Sequence, residues 1–363
     1  MADWDFILAP STVLVEVTLD EVAIVSNTLK MIKAEEFHSG LHEWVNETAH
    51  KLTPEQNKLG ESVAWNIDRF VLKSDARTFP DFIKSVADLP ADSVIDNAFH
   101  WLREQDDYPG DDALLNDLDS YLSFTERCVA EKYAKKGEEF HAEHWAEQWH
   151  MLQNPQQFMD DAVDYMQFMW DTYLKAEWAR VKPMLQEAVN AFSQLDYEGM
   201  SPYEAIETIT GRNMRGRDFF EDKLANAEKL IFMPSAHLGP YISWGAAPDD
   251  RTMIFFFGAR PPKNATMKST ALGRSELLVR LNALADETRL KMLEMLTETD
   301  ELCAQDFITG LDLSQSSASR HLRQLTASGY LTERRRDVAK CYSINPDRVD
   351  DTIQALKIFL KKS

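Results

Sequence analysis

The side chains best suited to recognition chemistry in this sequence are concentrated between Ser314 and Lys340. The segment begins with short hydroxyl and amide side chains (Ser-Gln-Ser-Ser), which can hydrogen-bond to the edges of DNA bases. It also holds six basic and two acidic residues, in a chain whose 39 Lys+Arg and 60 Asp+Glu give a net charge of −21. Because such cations bind phosphate oxygens, the pattern predicts contact with double-stranded DNA.

The predicted DNA contacts fall into two groups, one on a helix that would read bases or phosphates and one on a hairpin that would bind phosphates. Any single member could be an ordinary solvated surface residue, whereas the whole set favours DNA contact. The predicted contact residues are Ser314, Gln315, Ser316, Ser317, Ser319, Arg320, His321, Arg323, Arg334, Arg335, Arg336 and Lys340.

A short helix must present the first group, and the sequence contains the signals for it. Ser314 is a typical N-cap for the stretch QSSASRHLRQLTASG, and Gly329 supplies the left-handed position at which such a helix ends. Leu322 and Leu325 are predicted to face the core. The alternating runs YLTERR and KCYSI predict the two strands of a hairpin, and a final amphipathic helix starts at Asn345-Pro346-Asp347.

Two helices and a short third helix precede this region. The stretch LLVRLNALADETRLKMLEML has apolar residues at helical spacing, interrupted by Asp286, which is a typical cap for the second helix. ELCAQDFITGL predicts the short helix, followed by a turn at Asp312. The order helix, helix, short helix, turn, helix, hairpin, helix is that of a winged helix-turn-helix.

These stretches resemble a known family. LNALADETRLKMLEML, followed by LSQSSASRHLRQLTASGYLTERRRDVAKCYSI, is similar to the ArsR-type bacterial winged-helix repressors over about Glu276 to Ile344, roughly a fifth of the chain. The resemblance implies a homodimer built on the first and last helices of this segment. It also implies that the protein binds an operator and that an effector releases it from the DNA. The rest of the chain, including PSAHLGPY, loosely resembles an N-terminal extension of unknown function in some longer regulators of this family.

Metal-sensing members of that family often carry Glu-Leu-Cys-x-Cys-Asp in the helix before the recognition helix. Here ELCAQDF has Cys303 but Gln305 in place of the second cysteine, and one thiolate does not hold a soft metal without partners. Other members use Asp and His ligands on the last helix, whereas residues 348–362 contain no histidine. We therefore expect no metal at the usual family sites and no cofactor.

Histidines elsewhere suggest a zinc site, but their spacing argues against one. Each three-residue step along a helix lands about 60° from the one before, so four ligands at this spacing would spread over half of the circumference. A second pair, His38 and His42, lies on one helix face without a third ligand, and zinc needs three or four convergent ligands. The residues spaced by three are His141, His144, Glu147 and His150.

Aromatic and methionine side chains are concentrated between residues 158 and 178. Such a stripe can line a pocket for an apolar effector, and it more commonly forms the core between helices. The sequence leaves both interpretations open. The residues predicted for a pocket are Met166, Met169, Trp170 and Tyr173.

The short motifs of common enzymes are absent from the sequence: it contains no G-x-S-x-G, Walker-type, H-E-x-x-H or G-x-G-x-x-G pattern. Catalytic residues can also be scattered in sequence, so the expectation of a regulator rather than an enzyme rests on the winged helix-turn-helix pattern. One alternative is an enzymatic N-terminal part with a winged helix that regulates it or docks a protein, and a pocket with convergent polar groups and shifted pKa values would favour it. Another is a wing that contacts only protein, for which binding would depend little on salt.

Charge divides the chain in two. Residues 274–363 hold 14 Lys+Arg and 14 Asp+Glu, so residues 1–273 carry the whole net charge of −21. Residues 261–275 contain a Pro pair and small polar residues, as linkers do. We therefore predict a mostly helical sensor or dimerisation domain over residues 1–260 and a DNA-binding winged helix-turn-helix over residues 276–363.

The predicted fold class is mainly α (α+β). The runs KLIFMPS, GPYISW and TMIFFFG predict a small antiparallel sheet, a three-stranded meander near residues 229–258. Val13, Val15 and Val17 alternate with polar residues, which allows a short strand before the first helix. Helical spacing predicts helices near residues 20–36, 54–72, 92–104, 112–135, 138–151, 155–180 and 182–195.

Composition favours a cytoplasmic protein. No apolar run approaches the roughly 20 residues of a membrane span, and Asp3 and Asp5 stand where a signal peptide carries positive charge. Three widely spaced cysteines predict no disulfide framework and suit a reducing compartment. Together with this composition, the resemblance to the ArsR-type repressors implies a homodimeric repressor that an unknown small-molecule or protein effector releases by acting through the N-terminal domain.

Overall fold

A computed structural model describes residues 13–35, 38–72, 74–136, 140–215, 218–247, 249, 251–262, 270–336 and 339–361 of the chain. By their contacts the residues divide into two compact units. The mixed unit comprises Met1–Asp20, Ala34–Lys51 and Ala176–Ser363, and the helical unit comprises Glu21–Lys33 and Leu52–Lys175. Residues before and after the predicted linker both belong to the mixed unit. The predicted domain boundaries stay a prediction.

Helices dominate the described chain, and the predicted mainly α class is confirmed. The helices are α1 (Glu21–Lys33), α2 (Glu43–Ala49), α3 (Pro54–Leu72), α4 (Phe79–Ala87), α5 (Ser93–Arg103), α6 (Asp111–Leu115), α7 (Leu118–Lys136), α8 (Ala142–Leu152), α9 (Pro155–Met169), α10 (Lys175–Phe192), α11 (Pro202–Thr210), α12 (Asp218–Ala225), α13 (Thr270–Leu284), α14 (Glu287–Met295), α15 (Ala304–Leu311), α16 (Gln315–Ala327) and α17 (Pro346–Lys361), with a π-helical turn at Trp170–Leu174. The strands are β1 (Leu14–Val17), β2 (Lys229–Ser235), β3 (Ile242–Ala246), β4 (Thr252–Gly258), β5 (Leu302–Cys303), β6 (Leu331–Arg336) and β7 (Ala339–Ile344). Within the described residues, none of these helices combines the length and apolar character that a bilayer crossing requires.

The helical unit buries one side of most of its helices in an apolar interior. α1 packs on α3, and α4 packs on α9. Phe70, Phe79, Phe82 and Phe99 are fully buried. At roughly 25 cal/mol for each Å² of apolar surface removed from water, such side chains supply the main stabilisation of a helical core.

Two predicted helices have different bounds in the structure. The helix predicted over residues 112–135 is split into α6 and α7, because the Asp117 carboxylate accepts from the Ser120 backbone N–H at 2.9 Å and so begins a new helix. α10 continues through the predicted break near residue 181 and contains Pro183. Pro183 is exposed, so water can satisfy the carbonyl that loses its helical partner.

The mixed unit contains a four-stranded sheet in the order β1-β2-β4-β3. β1 is parallel to β2 and β2 is parallel to β4, whereas β3 is antiparallel to β4. The predicted antiparallel meander is therefore wrong in its pairing, although its three strands are present. β4 is apolar along most of its length, which favours a central place with neighbours on both sides. The strand suggested by the alternating valines is confirmed as β1.

Helices α10, α11 and α12 supply apolar side chains to the core of this sheet. Phe192 of α10 meets Phe257 of β4 edge-on, with ring centroids 5.4 Å apart. α11 is fixed at both ends, by a capping box of Ser201 and Glu204 and by Gly211, which ends the helix with a left-handed φ of 71°. The two caps fix the ends of α11 and so fix the point at which the following chain leaves the helix.

A buried ionic cluster joins α10 to the loop after β2. The Glu177 carboxylate accepts from His237 Nε2 at 2.7 Å and from Arg180 Nε at 2.7 Å. The side chains of Glu177 and His237 are 5% and 4% exposed. Burial alone would raise the pKa of Glu177, but the hydrogen bonds from His237 and Arg180 outweigh it and lower this pKa to about 2. His42 lies beside this cluster, its ring centroid 5.9 Å from that of His237, and burial lowers its pKa.

The C-terminal part of the mixed unit is a winged helix-turn-helix, as predicted. Its small sheet has the order β5-β7-β6, and its core includes Met292, Phe307 and Tyr330. α13 begins at Thr270, inside the predicted linker, because Ala, Leu and Arg in this stretch favour helix. Residues 263–269 of that linker lie outside the described residues.

Candidate nucleic-acid interface

The N-terminal half of α16 presents the predicted reading side chains to solvent. The Ser314 hydroxyl caps the helix by accepting from the Ser317 backbone N–H at 3.2 Å, after the chain reverses at Asp312 with a φ of +51°. An open first turn is what a helix that enters the major groove requires. Ser317 is half-buried, and the exposed members of the group are Ser314, Gln315, Ser316, Ser319, Arg320 and Arg323.

The opposite face of α16 is buried. Ala318, Leu322 and Leu325 are at most 1% exposed and pack in the cluster that contains Phe307 and Tyr330. Their spacing of four and three residues is that of one helix face, and the prediction that the two leucines lie in the core is confirmed. This packing fixes the direction in which the polar face points.

His321 differs from the other predicted contact residues on α16. Its side chain is only 12% exposed, and Nδ1 lies 3.6 Å from the Asp286 carboxylate. Burial lowers the pKa of His321, which favours the neutral imidazole. Its direct contact with DNA stays a prediction.

The LADETRL motif connects α13 to α14. Asp286 caps α14 by accepting from the Arg289 backbone N–H at 2.9 Å. The Arg289 side chain is 7% exposed, and it donates to the carbonyls of Ala283 at 2.6 Å and Asn282 at 2.8 Å. One buried guanidinium therefore satisfies the last carbonyls of α13 and pairs with the cap of α14, which fixes the scaffold under α16.

The hairpin of β6 and β7 carries the second predicted group. Arg334 Nη2 donates to Glu301 Oε2 at 2.7 Å, and Arg336 Nη1 lies 3.6 Å from the same oxygen. The two arginine side chains are 67% and 59% exposed. Arg335 pairs with Lys340 in the strand register, and its side chain lies outside the part that the structure describes.

The remaining hairpin cation, Lys340, pairs with Glu333 at 3.2 Å and is 52% exposed. An exposed ion pair contributes about 0–1 kcal/mol. A phosphate oxygen can therefore replace Glu333 at little cost, whereas Glu301, the partner of Arg334 and Arg336, is only 14% exposed.

The C-terminal half of α16 faces the rest of the mixed unit. The Gln324 side chain is 2% exposed, and a Cβ added at Gly40 would come within 2.4 Å of its amide nitrogen. Arg212 Nη1 donates to the Thr326 carbonyl at 3.3 Å. α16 is thus open at its start and held at its end. Sequence reasoning missed these contacts because their partners are more than 100 residues away.

Cys303 and Cys341 form a disulfide across the paired strands β5 and β7. This corrects the expectation from cysteine spacing, because the strand register places two residues 38 apart in sequence directly opposite each other. Cys128 is free. Among the described residues, no group of three or more His, Cys, Asp and Glu side chains is placed to hold a metal ion.

The residues predicted for an effector pocket belong to the interior of the helical unit, apart from Tyr173, which is half-buried. Met166 and Met169 are fully buried, and Trp170 is 7% exposed. The Trp170 ring packs against Phe79 with centroids 5.5 Å apart. These contacts support the core interpretation of the stripe.

Comparison with known proteins identifies relatives of the C-terminal segment. Residues 286–333 match the model of the family described as "Bacterial regulatory protein, arsR family". The chain is 46% identical over 63 residues to the "Arsenical resistance operon repressor" of Escherichia coli, which is 17% of this chain and 54% of that protein. The predicted resemblance is confirmed.

Two regulators of Pseudomonas putida are also similar. The "Arsenic resistance transcriptional regulator ArsR1" is 39% identical over 64 residues, 18% of this chain and 50% of that protein. The "Arsenic resistance transcriptional regulator ArsR2" is 33% identical over 79 residues, 22% of this chain and 69% of that protein. The chain thus spans about half the length of the first two relatives and 69% of the third.

Proposed function

Since this chain belongs to the arsR family of bacterial regulatory proteins, we propose that it is a homodimeric repressor whose α16 and hairpin bind an operator in double-stranded DNA. Its release from the operator is caused by an effector that acts through the residues before the winged helix, and not by a metal at the usual family sites. The proposal gives the chain a binding role and no catalytic one. The name of the Escherichia coli relative, an operon repressor, supports the direction of regulation.

The observation that carries this proposal is the open N-terminal half of α16, where Gln315, Ser316, Ser319 and Arg320 are exposed. Polar side chains at this position of a helix can read base edges, while the exposed hairpin cations bind phosphates on either side. The net charge of −21 repels DNA elsewhere on the molecule, so the basic segment orients the approach.

Apolar side chains on the first and last helices of the winged segment support the homodimer. Leu278 of α13 is 47% exposed, and Ile353 and Leu360 of α17 are 47% and 62% exposed. Ile353 and Leu360 are seven residues apart and so lie on one helix face. Large exposed apolar groups on adjacent helices are typical of a surface that a second copy covers, and α13 packs against α17.

Arg320→Ala should weaken operator binding by about 1–3 kcal/mol if Arg320 reads a base edge. In practice the operator is first selected with the wild-type chain from genomic fragments. Dissociation constants are then measured by gel shift at one fixed salt concentration.

Arg251→Ala is the matched control, because Arg251 is an exposed arginine of the same unit, 66% exposed and paired with Glu228. It removes the same charge and should leave the affinity unchanged. An unchanged affinity in Arg320→Ala would remove the reading role of Arg320. Wild-type affinity that hardly changes from low to moderate salt would instead favour a wing that contacts protein only.

Leu360→Asp should weaken self-association. Full burial of a leucine contributes about 1.5–3 kcal/mol, and a symmetric dimer would bury the exposed 62% of two copies of Leu360. We therefore expect the dimer dissociation constant to rise about 20- to 500-fold, as measured by sedimentation equilibrium. Leu14→Asp is the control, because Leu14 of β1 is also 62% exposed and is not on α13 or α17. Equal effects of the two variants, or a monomeric wild type, would argue against this dimer surface.

A further inference from the structure

A cavity of about 50 Å³ lies in the mixed unit, among the end of α11, the loop after β2, the end of β4, the middle of α13 and the start of α17. A buried water needs about 10–15 Å³ on this scale, so the cavity holds about three to five water-sized groups. This is the size of one carboxylate or phosphate group rather than of a large apolar ligand.

Arginine dominates the polar lining of this cavity. Arg212, Arg260 and Arg348 line it, and Glu276 is the one carboxylate among its described lining residues. Glu276 already pairs with Arg280 and lies 4.0 Å from Arg348 Nη1. The cavity therefore carries an excess of positive charge, within a chain whose net charge is −21.

Arg260 is the least satisfied of these arginines. Its Nη2 donates to the Thr208 carbonyl at 3.3 Å, but its Nε is buried and meets no acceptor among the described residues. Its guanidinium lies against the backbone of Gly211, where an added Cβ would come within 2.2 Å of Nη1. Burial lowers the pKa of Arg260 although the charge of Glu276 opposes this shift, and a buried cation with no carboxylate in ion-pair contact is costly. An anion in the cavity would offset this cost.

The other two arginines connect the cavity to α16. Arg212 Nη1 donates to the Thr326 carbonyl at 3.3 Å, and Arg348 Nε donates to the Ser328 carbonyl at 2.8 Å. Thr326 lies in the last turn of α16, and Ser328 is its C-cap. Cations at a helix C-terminus satisfy carbonyls and stabilise the last turn. The groups that would bind an anion are therefore the same groups that hold the end of α16.

We propose that this cavity binds a small oxyanion, the carboxylate or phosphate group of an effector, which competes with the carbonyls at the end of α16 for Arg212 and Arg348. Guanidinium groups bind both kinds of oxyanion through paired hydrogen bonds. The effect on α16 rests on the proposed function, whereas binding of the anion does not.

The full-length protein tests the binding step with inorganic phosphate and with succinate, each compared with sodium chloride at equal ionic strength. At about 50 mM, one or both should raise the Tm by about 3 °C, as expected of a millimolar site. The anion that acts identifies the phosphate or the carboxylate as the recognised group. No rise beyond chloride with either anion would overturn the proposal.

Two cavity variants with opposite expectations locate the site. Arg260→Gln should weaken binding of the active anion at least about tenfold by calorimetry. Its Tm in chloride should change little, because removing a buried charge that meets no carboxylate offsets the lost hydrogen bond from Nη2 to the Thr208 carbonyl. Glu276→Gln removes the competing carboxylate and should tighten binding about fivefold. Binding that survives in the first variant, or weakens in the second, would place the anion elsewhere. The Glu276→Gln result decides the question even if Arg260→Gln does not fold.

Operator binding tests the connection to α16 separately. The active anion should weaken the operator affinity of the wild type about tenfold, and the affinity of Arg260→Gln much less. Anion binding with an unchanged operator affinity would overturn the connection while the site stands. A wild type that binds no operator in chloride would contradict the proposed function and leave the anion result intact.

Discussion

Reduction of the bond between Cys303 and Cys341 should lower the free energy of unfolding by about 4 kcal/mol. The bond closes a loop with a sequence separation of 38 residues, and a cross-link of this length removes about that much chain entropy from the unfolded state. α15, α16 and β6 all lie within the loop, so the helix proposed to read DNA gains from the bond. We expect Cys341→Ser to match the reduced wild type in urea unfolding.

Cys128→Ser is the control for this prediction, because Cys128 is a half-buried free cysteine. This variant should respond to a reducing agent as strongly as the wild type does. A wild-type unfolding midpoint that the reducing agent leaves unchanged would contradict the prediction. So would a count of three reactive thiols in the unfolded, unreduced chain.

The winged helix-turn-helix could be predicted from the sequence because its signals are local and agree with one another. The Ser314 cap, the Asp286 cap and Gly329 each act within a few residues, and all three have the expected geometry. Apolar spacing then assigned Leu322 and Leu325 to the core, since one buried face of α16 leaves the other open.

The mixed sheet could not be predicted in the same way. Three β-rich runs close together in sequence favour a meander, because short connections usually join antiparallel neighbours. Here β1, more than 200 residues upstream, takes the free side of β2, and β4 takes the other side in a parallel register. Which strands become the neighbours of β2 is decided by packing in the folded chain. Short alternating runs in the sequence carry little information about that choice.

The cavity arginines were missed for a related reason. Arg212, Arg260 and Arg348 stand in three separate stretches with no common motif, and each alone is indistinguishable from a solvated surface charge. These three arginines line one cavity only because α11, β4 and α17 pack in one unit. The pairing of Cys303 with Cys341 depends likewise on the register of β5 and β7.

Glu177→Gln should lower the free energy of unfolding at pH 7 by about 3 kcal/mol. The folded protein holds the pKa of Glu177 at about 2, against an ordinary value of 4.5, and each pKa unit corresponds to about 1.4 kcal/mol. Because the folded-state pKa is the lower one, this stabilisation is fully present above about pH 4.5 and is lost as the pH falls towards 2. In urea unfolding, the gap between wild type and variant should shrink to about 1 kcal/mol at pH 3.

Glu187→Gln, an exposed change on the same helix, is the control and should cost little at either pH. An equal gap for Glu177→Gln at pH 7 and pH 3 would mean that shape, not charge, is the source of the loss.

The two partners of Glu177 should also contribute unequally. Arg180 is 57% exposed and can turn to water, whereas His237 is 4% exposed and cannot. Arg180→Gln should therefore cost much less than Glu177→Gln, because the buried contact between α10 and the loop after β2 depends on the carboxylate and His237.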